Sequence, residues 1–162
     1  MHALTEKDIR SSFVNASQRE RSTLSVPALD QQAWDDLDFL GWRDTKYALQ
    51  GYIVVPVDGE PVGILLRESE QRTRTRPQCS WCEDVTLPND VVFFSAKRAG
   101  RAGRNGDTVG TLACARFECS RNVRLLPPLA YPGFDRDAAR RRRIEALREN
   151  VVGFARDLRD KN

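Results

Sequence analysis

Four cysteines, Cys79, Cys82, Cys114 and Cys119, constrain this chain more than any other feature of its sequence. They read C-x2-C, then 31 residues, then C-x4-C, and the sequence contains no others. Two short cysteine pairs at such a separation match a four-thiolate zinc site, in which a tetrahedral ion joins two distant pieces of backbone. A catalytic zinc keeps one coordination position open for water, whereas four thiolates close the shell, so the site reads as one structural ion. Two disulfides, four buried free thiols or an iron–sulfur cluster are the alternatives.

A chain of 162 residues is enough for one domain that buries roughly 70% of the surface its unfolded form exposes. The metal is therefore expected to fix one corner of a true apolar core. The net charge of +3 hides a strong polarity along the chain. Residues 1–66 carry 6 basic and 10 acidic side chains, residues 67–143 carry 16 and 9, and residues 144–162 carry 4 of each. Clustered cations around the cysteines favour an anionic partner, because they raise the local potential and the encounter rate. No apolar run resembles a signal segment or reaches membrane-spanning length, and the expected compartment is the cytoplasm, where thiolates on metal outlast disulfides.

The local patterns predict an α+β fold. It consists of an N-terminal helix, a small antiparallel sheet, the four-cysteine zinc finger and a long C-terminal amphipathic helix. Thr5 and Asp8 resemble a capping box for a helix running to about Arg21, and Val26-Pro27 ends it. The acidic stretch Asp30–Asp44 reads as a short helix and an irregular connection, with Trp34 and Trp42 as core anchors. Tyr47–Val57 and Val62–Arg67 form a β-hairpin about the turn Asp58-Gly59-Glu60-Pro61. Residues 1–44 are a helical segment and residues 45–162 the zinc-finger domain, the two expected to form one unit. Arg72, Arg74 and Arg76 alternate with polar residues, so an extended segment would present all three on one face.

Strands Asp90–Ala96 and Asp107–Ala113 flank a loop whose four cations, Lys97, Arg98, Arg101 and Arg104, are spaced by Gly100, Gly103 and Gly106. Such a loop is either a phosphate-holding turn or a mobile hairpin tip, and it lacks the Lys-Ser/Thr ending of a P-loop. Ser120–Leu126 reads as a strand. Asp135 is a good N-cap for a last helix from Arg136 to Leu158, whose Ile144, Leu147, Val151, Phe154, Ala155 and Leu158 make one apolar stripe. Arg140–Arg143 sit near that helix's N-terminus, against the macrodipole, which points to an external reason for the run.

The segments CSWC, VVFFSAKRAGRAGRNGDTVGTLAC and ARFECSRNVR, followed by a C-terminal helix, resemble the FBP C-terminal treble-clef zinc-finger family over roughly residues 45–160. That family includes the FusB-type proteins that bind elongation factor G. The resemblance implies that Cys79, Cys82, Cys114 and Cys119 hold structural zinc and that the metal-bearing domain contacts elongation factor G. FusB-type members release the factor from ribosomes stalled by fusidic acid, but they carry a larger helical N-terminal domain than the 44 residues found here.

Nothing in the sequence assembles a catalytic set, because the single histidine is His2 and all the cysteines serve the metal. The expected protein is a non-enzymatic binder of elongation factor G or the ribosome, with no small-molecule substrate and no membrane. Trp81 and Phe117, inside the cysteine-bounded turns, either cover the metal or form the apolar centre of that contact. Lys97, Arg98, Arg101 and Arg104 supply its charge. The alternative is direct RNA binding through the same hairpin and Arg140–Arg143.

Overall fold

The computed structural model describes residues 1–71 and 75–160, so Arg72 and Arg74 of the alternating arginines lie outside the described residues, while Arg76 is exposed. The protein is α+β. A five-stranded antiparallel meander, β1 (Leu40–Arg43), β2 (Gln50–Val57), β3 (Glu60–Glu68), β4 (Val91–Lys97) and β5 (Thr108–Cys114), has its strands in chain order. Asp58 and Gly59, at φ 54° and 87°, make the two-residue turn between β2 and β3. Left-handed backbone at both central positions matches the right-handed twist of the strands, which is why Asp-Gly stands there.

β2 and β3 are buried on both faces, and this explains their nearly continuous apolar runs. On one face Ile53, Val55, Ile64 and Leu66 meet Leu147, Val151, Ala155 and Leu158 of the C-terminal helix α5 (Arg136–Asp160). Asp135 caps this helix by accepting from the Ala138 amide at 2.8 Å. On the other face Tyr52, Val54 and Leu65 meet Ile9, Phe13, Leu40 and Trp42. β3 and β4 pair only at Arg67↔Ser95 and Glu68↔Phe94, so β4 and β5 project beyond the helices that cover the second face.

The single N-terminal helix expected from the sequence is two. α1 (Glu6–Ser12) stops at Phe13, which bridges to Gly63 of β3, and α2 (Gln18–Thr23) starts behind a second capping box, Ser17 with Glu20. Asn15 breaks the helix because its side-chain amide serves the sheet, accepting from Leu65 N at 2.8 Å and donating to Leu65 O at 2.9 Å. The acidic stretch holds two 3-10 turns, Leu29–Gln31 and Trp34–Asp36, and then β1, which pairs with β2. Residues before 45 thus supply a strand of the sheet.

Two further expectations are corrected. Ser120–Leu126 is not a strand, since α4 (Cys119–Arg124) occupies it, turned inward by Cys119, Ser120, Asn122 and Val123. The glycine-arginine loop is not a loose tip. It folds into α3 (Gly100–Arg104) and docks on the end of α5, where the Ala99 amide donates to Leu158 O at 3.0 Å and Arg98 pairs with Asp157 at 3.1 Å. Gly103 is required here, because a Cβ at that position would lie 1.8 Å from the Arg98 carbonyl oxygen.

Candidate metal centre

Three elements deliver the four sulfurs. The first knuckle, Cys79–Cys82, is tied to β5 by the Ser80 amide donating to Leu112 O at 2.8 Å and closed by the Glu83 amide donating to Cys79 O at 3.0 Å. β5 ends on Cys114, the turn Ala115–Glu118 reverses the chain, and Cys119 opens α4. All four residues are buried, and their sulfurs lie within 4.8 Å of one another.

The spacings decide the chemistry. Cys79 and Cys119 sulfurs are 3.7 Å apart and those of Cys82 and Cys114 3.6 Å, well beyond the roughly 2.0 Å of a disulfide bond. A tetrahedron of Zn–S bonds of about 2.3 Å has S–S edges of about 3.8 Å. An iron–sulfur cluster would put several iron and sulfide atoms between its thiolates and hold them farther apart. The quartet fits one ion, and the protein has a structural zinc site.

Hydrogen bonding within the quartet shows why a cation belongs there. The thiols of Cys114, Cys119 and Cys82 hold Cys79 far below the ordinary thiol range, and Cys82 is drawn down to about 7, chiefly by Cys114. Cys119 is pushed well up by its bonds to Cys114, Cys79 and Cys82 together with burial. Four adjacent sulfurs cannot all ionise unless a cation balances their charge.

The surrounding amides suit thiolates. Asn122 Nδ2 lies 3.6 Å from Cys114 Sγ and 3.9 Å from Cys82 Sγ, Asn89 Nδ2 lies 3.7 Å from Cys114 Sγ, and the Trp81 amide lies 3.4 Å from Cys79 Sγ. Such donors orient metal ligands and spread their charge. Sequence reasoning missed Asn122 because a strand would have turned it differently. On α4 it stands three residues after Cys119 and so shares its face.

Trp81 and Phe117 cannot be an exposed apolar centre, since they are only 1% and 6% accessible. They cover the metal instead. Phe117 stacks between Phe94 (5.2 Å, 25°) and Trp81 (6.3 Å, 22°), and Trp81 meets Phe39 edge-on at 5.4 Å. The Phe117 ring lies across β1 and β2 at two glycines, where a Cβ on Gly41 or Gly51 would come within 2.8 and 2.7 Å of it. To put the ring there Phe117 adopts φ 60°, a left-handed backbone that costs a side-chain-bearing residue about 1–2 kcal/mol.

The expected cations divide. Lys97, Arg101 and Arg104 are exposed, whereas Arg98 is held by Asp157. In the arginine run, Arg143 pairs with Asp84 beside the first knuckle and Arg140 with Asp137, while Arg141 and Arg142 are exposed. Asp38, buried at the base of α4, is the hub of another network. It meets Arg124 and, at 2.8 Å, Arg148, while its amide donates to Ser120 Oγ at 3.0 Å. Arg143 thus ties α5 to the first knuckle, and Arg124 and Arg148 tie α4 and α5 to the N-terminal segment. No helix among the described residues is long and apolar enough to cross a membrane.

The family model described as FBP C-terminal treble-clef zinc-finger matches residues 8–158 of the chain, nearly its whole length. Neither the curated proteins nor the solved structures give a significant match.

Proposed function

The chain belongs to the FBP C-terminal treble-clef zinc-finger family, and from that premise we propose that it is a non-enzymatic zinc protein of the cytoplasm that binds elongation factor G and modulates its release from the ribosome. The observation that carries this reading is an apolar surface at the zinc end. Leu125, Leu126, Leu129 and Tyr131, in the connection from α4 to α5, are between 45% and 63% exposed. A cluster of that kind is typical of a docking site, because isolated apolar side chains are common on surfaces but contiguous ones are not.

The segment is held ready for a partner. Pro127, Pro128 and Pro132 stiffen it, Arg136 donates to Pro127 O at 2.7 Å, Arg143 donates to Leu125 O at 3.3 Å, and Tyr131 packs on Phe134 at 5.3 Å. Restricted segments lose less entropy on binding, and large apolar or aromatic side chains dominate interface energetics. Arg141 and Arg142 on the following turn of α5 add charge that speeds encounter. In this reading the protein acts by binding and has no substrate of its own.

Titration of the nuclease-treated chain against purified elongation factor G tests the proposal. Saturable binding that survives moderate salt is expected, and Leu129→Ser combined with Tyr131→Ser should weaken it at least about tenfold without changing thermal unfolding. An absence of saturable binding refutes it.

A further inference from the structure

We propose that the uncovered face of β4 and β5, with the groove beside it, binds single-stranded RNA. The site is distinct from the apolar surface described above, and α5 measures the separation. Arg136, near the start of the helix, bonds to Pro127, while Leu158, 22 residues later, accepts from Ala99 of the hairpin. At 1.5 Å per residue the two ends are about 33 Å apart. Cations of the hairpin therefore serve a surface of their own.

The face is built by register. Arg67 stands opposite Ser95, Ser95 opposite Gly110, and Lys97 opposite Thr108. Directly opposed residues project on the same side of a sheet, so Arg67, Ser95, Lys97 and Thr108 share one face, with Arg67 and Lys97 diagonal neighbours roughly 7–8 Å apart. α1 and α2 cover this face only as far as β3, and the edge of their connection reaches Lys97, where Asn15 Nδ2 donates to its carbonyl at 3.1 Å. Between that connection and α3 lies a groove of about 520 Å³, into which Arg104 also faces.

Its cations are only partly offset. Arg98, on the groove wall, is paired with Asp157, but Arg67, Lys97 and Arg104 have no ion-pair partner among the described residues. Among the described residues the one carboxylate lining the groove is Glu20, which accepts from the Ser17 amide and hydroxyl, both at 2.8 Å, and whose charge also acts on Arg67 and Lys97 without forming an ion pair. Thr108 adds a hydroxyl beside the cations, while the Ser95 hydroxyl donates to Arg67 O at 3.4 Å.

Phe93 distinguishes the ligand. It projects from the same face, two residues before Ser95 and four before Lys97, which places it about 13 Å from the lysine along the strand. Its ring lies across Gly110, where a Cβ would come within 2.4 Å of Cζ, and it remains 43% exposed. An acidic peptide would use the cations but has no need of an exposed ring. A single strand uses both, setting a base on the aromatic face and its phosphates along the cations, with little regard to sequence.

Fluorescence anisotropy with a labelled 12-nucleotide mixed-sequence RNA tests the inference. Binding should be saturable, and three phosphate contacts give a slope of log K against log salt of about −2. Arg67→Gln, Lys97→Gln and Arg104→Gln together should abolish most of that slope. Phe93→Leu keeps apolar bulk over Gly110 but removes the π face, and should weaken binding about tenfold. Thermal unfolding of each variant checks that the fold is intact, and if Phe93→Leu unfolds early, Phe93→Tyr must retain full affinity. No RNA binding, an unchanged affinity in Phe93→Leu, or equal competition by a hexaglutamate peptide would overturn the proposal. The elongation factor G titration is a separate measurement that the triple variant should leave unchanged.

Discussion

Phe117 provides a substitution series whose order runs against the usual one. The residue is buried against Phe94, Trp81, Gly41 and Gly51, and it sits at φ 60°. Phe117→Ala leaves a ring-sized cavity and should cost about 3–5 kcal/mol, while the alanine keeps the left-handed strain. Phe117→Gly leaves a cavity larger by the Cβ alone and relieves that strain, worth about 1–2 kcal/mol. Against this, glycine's greater freedom in the unfolded chain costs about 0.4–1 kcal/mol. The glycine variant should therefore be the more stable of the two by up to about 1 kcal/mol. Urea unfolding of the zinc-loaded proteins at one fixed excess of metal measures the difference, since free zinc concentration itself shifts apparent stability. Equal stability, or alanine above glycine, would show that the backbone at Phe117 stores no strain and that the zinc knuckle does not force the ring onto the sheet.

The purified chain should carry one zinc, and Cys114→Ser should release it. Hydrogen exchange should then show lost protection from the first knuckle through α4, and unchanged metal content in that variant would refute the ligand assignment. Asp38→Asn removes a buried partner of Arg124 and Arg148; the partial exposure of both arginines reduces the expected loss to about 2 kcal/mol, and a loss below experimental error in chemical denaturation would count against the hub. Asp44 is pushed up by burial, but bonds from the Tyr47 amide, the Tyr52 hydroxyl and the Lys46 amide outweigh this and hold it below its ordinary value. Its contribution is therefore present above the unfolded-state value of about 3.9 and lost as pH falls through the lower folded value. Asp44→Ala should accordingly destabilise at pH 7 and flatten the acid limb of a stability profile, and parallel profiles for the two proteins would contradict the linkage.

The legible parts of this sequence were those set by local chemistry. Cysteine spacing gave the metal site, Asp58-Gly59 gave the hairpin, and the apolar stripe from Ile144 to Leu158 gave α5, because each depends on residues close together in the chain. The unread parts depend on distant partners. A continuous helix through Asn15 was reasonable by propensity, yet its amide finds both partners on Leu65, fifty residues away. Arg98 looked free until Asp157 was beside it, and the choice for Trp81 between covering the metal and anchoring a partner was open until Phe39, Phe117 and Phe154 surrounded it. The strand expected at Ser120–Leu126 failed for a metal-specific reason: Cys119 must turn its sulfur back toward the first knuckle, and a helix starting at that cysteine also brings Asn122 to the sulfurs.

The arginine excess resolves in the same way. Composition alone invited a single anionic partner for the whole basic half, but buried or half-buried carboxylates absorb part of it. Asp38, Asp84 and Asp157 take Arg124, Arg148, Arg143 and Arg98, and each pair crosses from one chain segment to another. Three of these four arginines bind α4 or α5 to the N-terminal segment or the first zinc knuckle, and Arg98 fixes the hairpin to the far end of α5. Isolated exposed pairs contribute little, but a carboxylate buried as fully as Asp38 is costly to leave unpaired, so these contacts specify where α5 lies. Once they are removed from the count, the uncommitted charge is no longer one patch. Among the described residues two groups of it lie at the ends of one helix, Arg141 and Arg142 with exposed leucines and a tyrosine at the zinc end, and Lys97, Arg104 and Arg67 with an exposed phenylalanine at the other, while Arg76, Arg116 and Arg121 are exposed elsewhere. Different neighbours call for different ligands: an apolar protein surface at the first and a phosphate-bearing strand with stackable bases at the second.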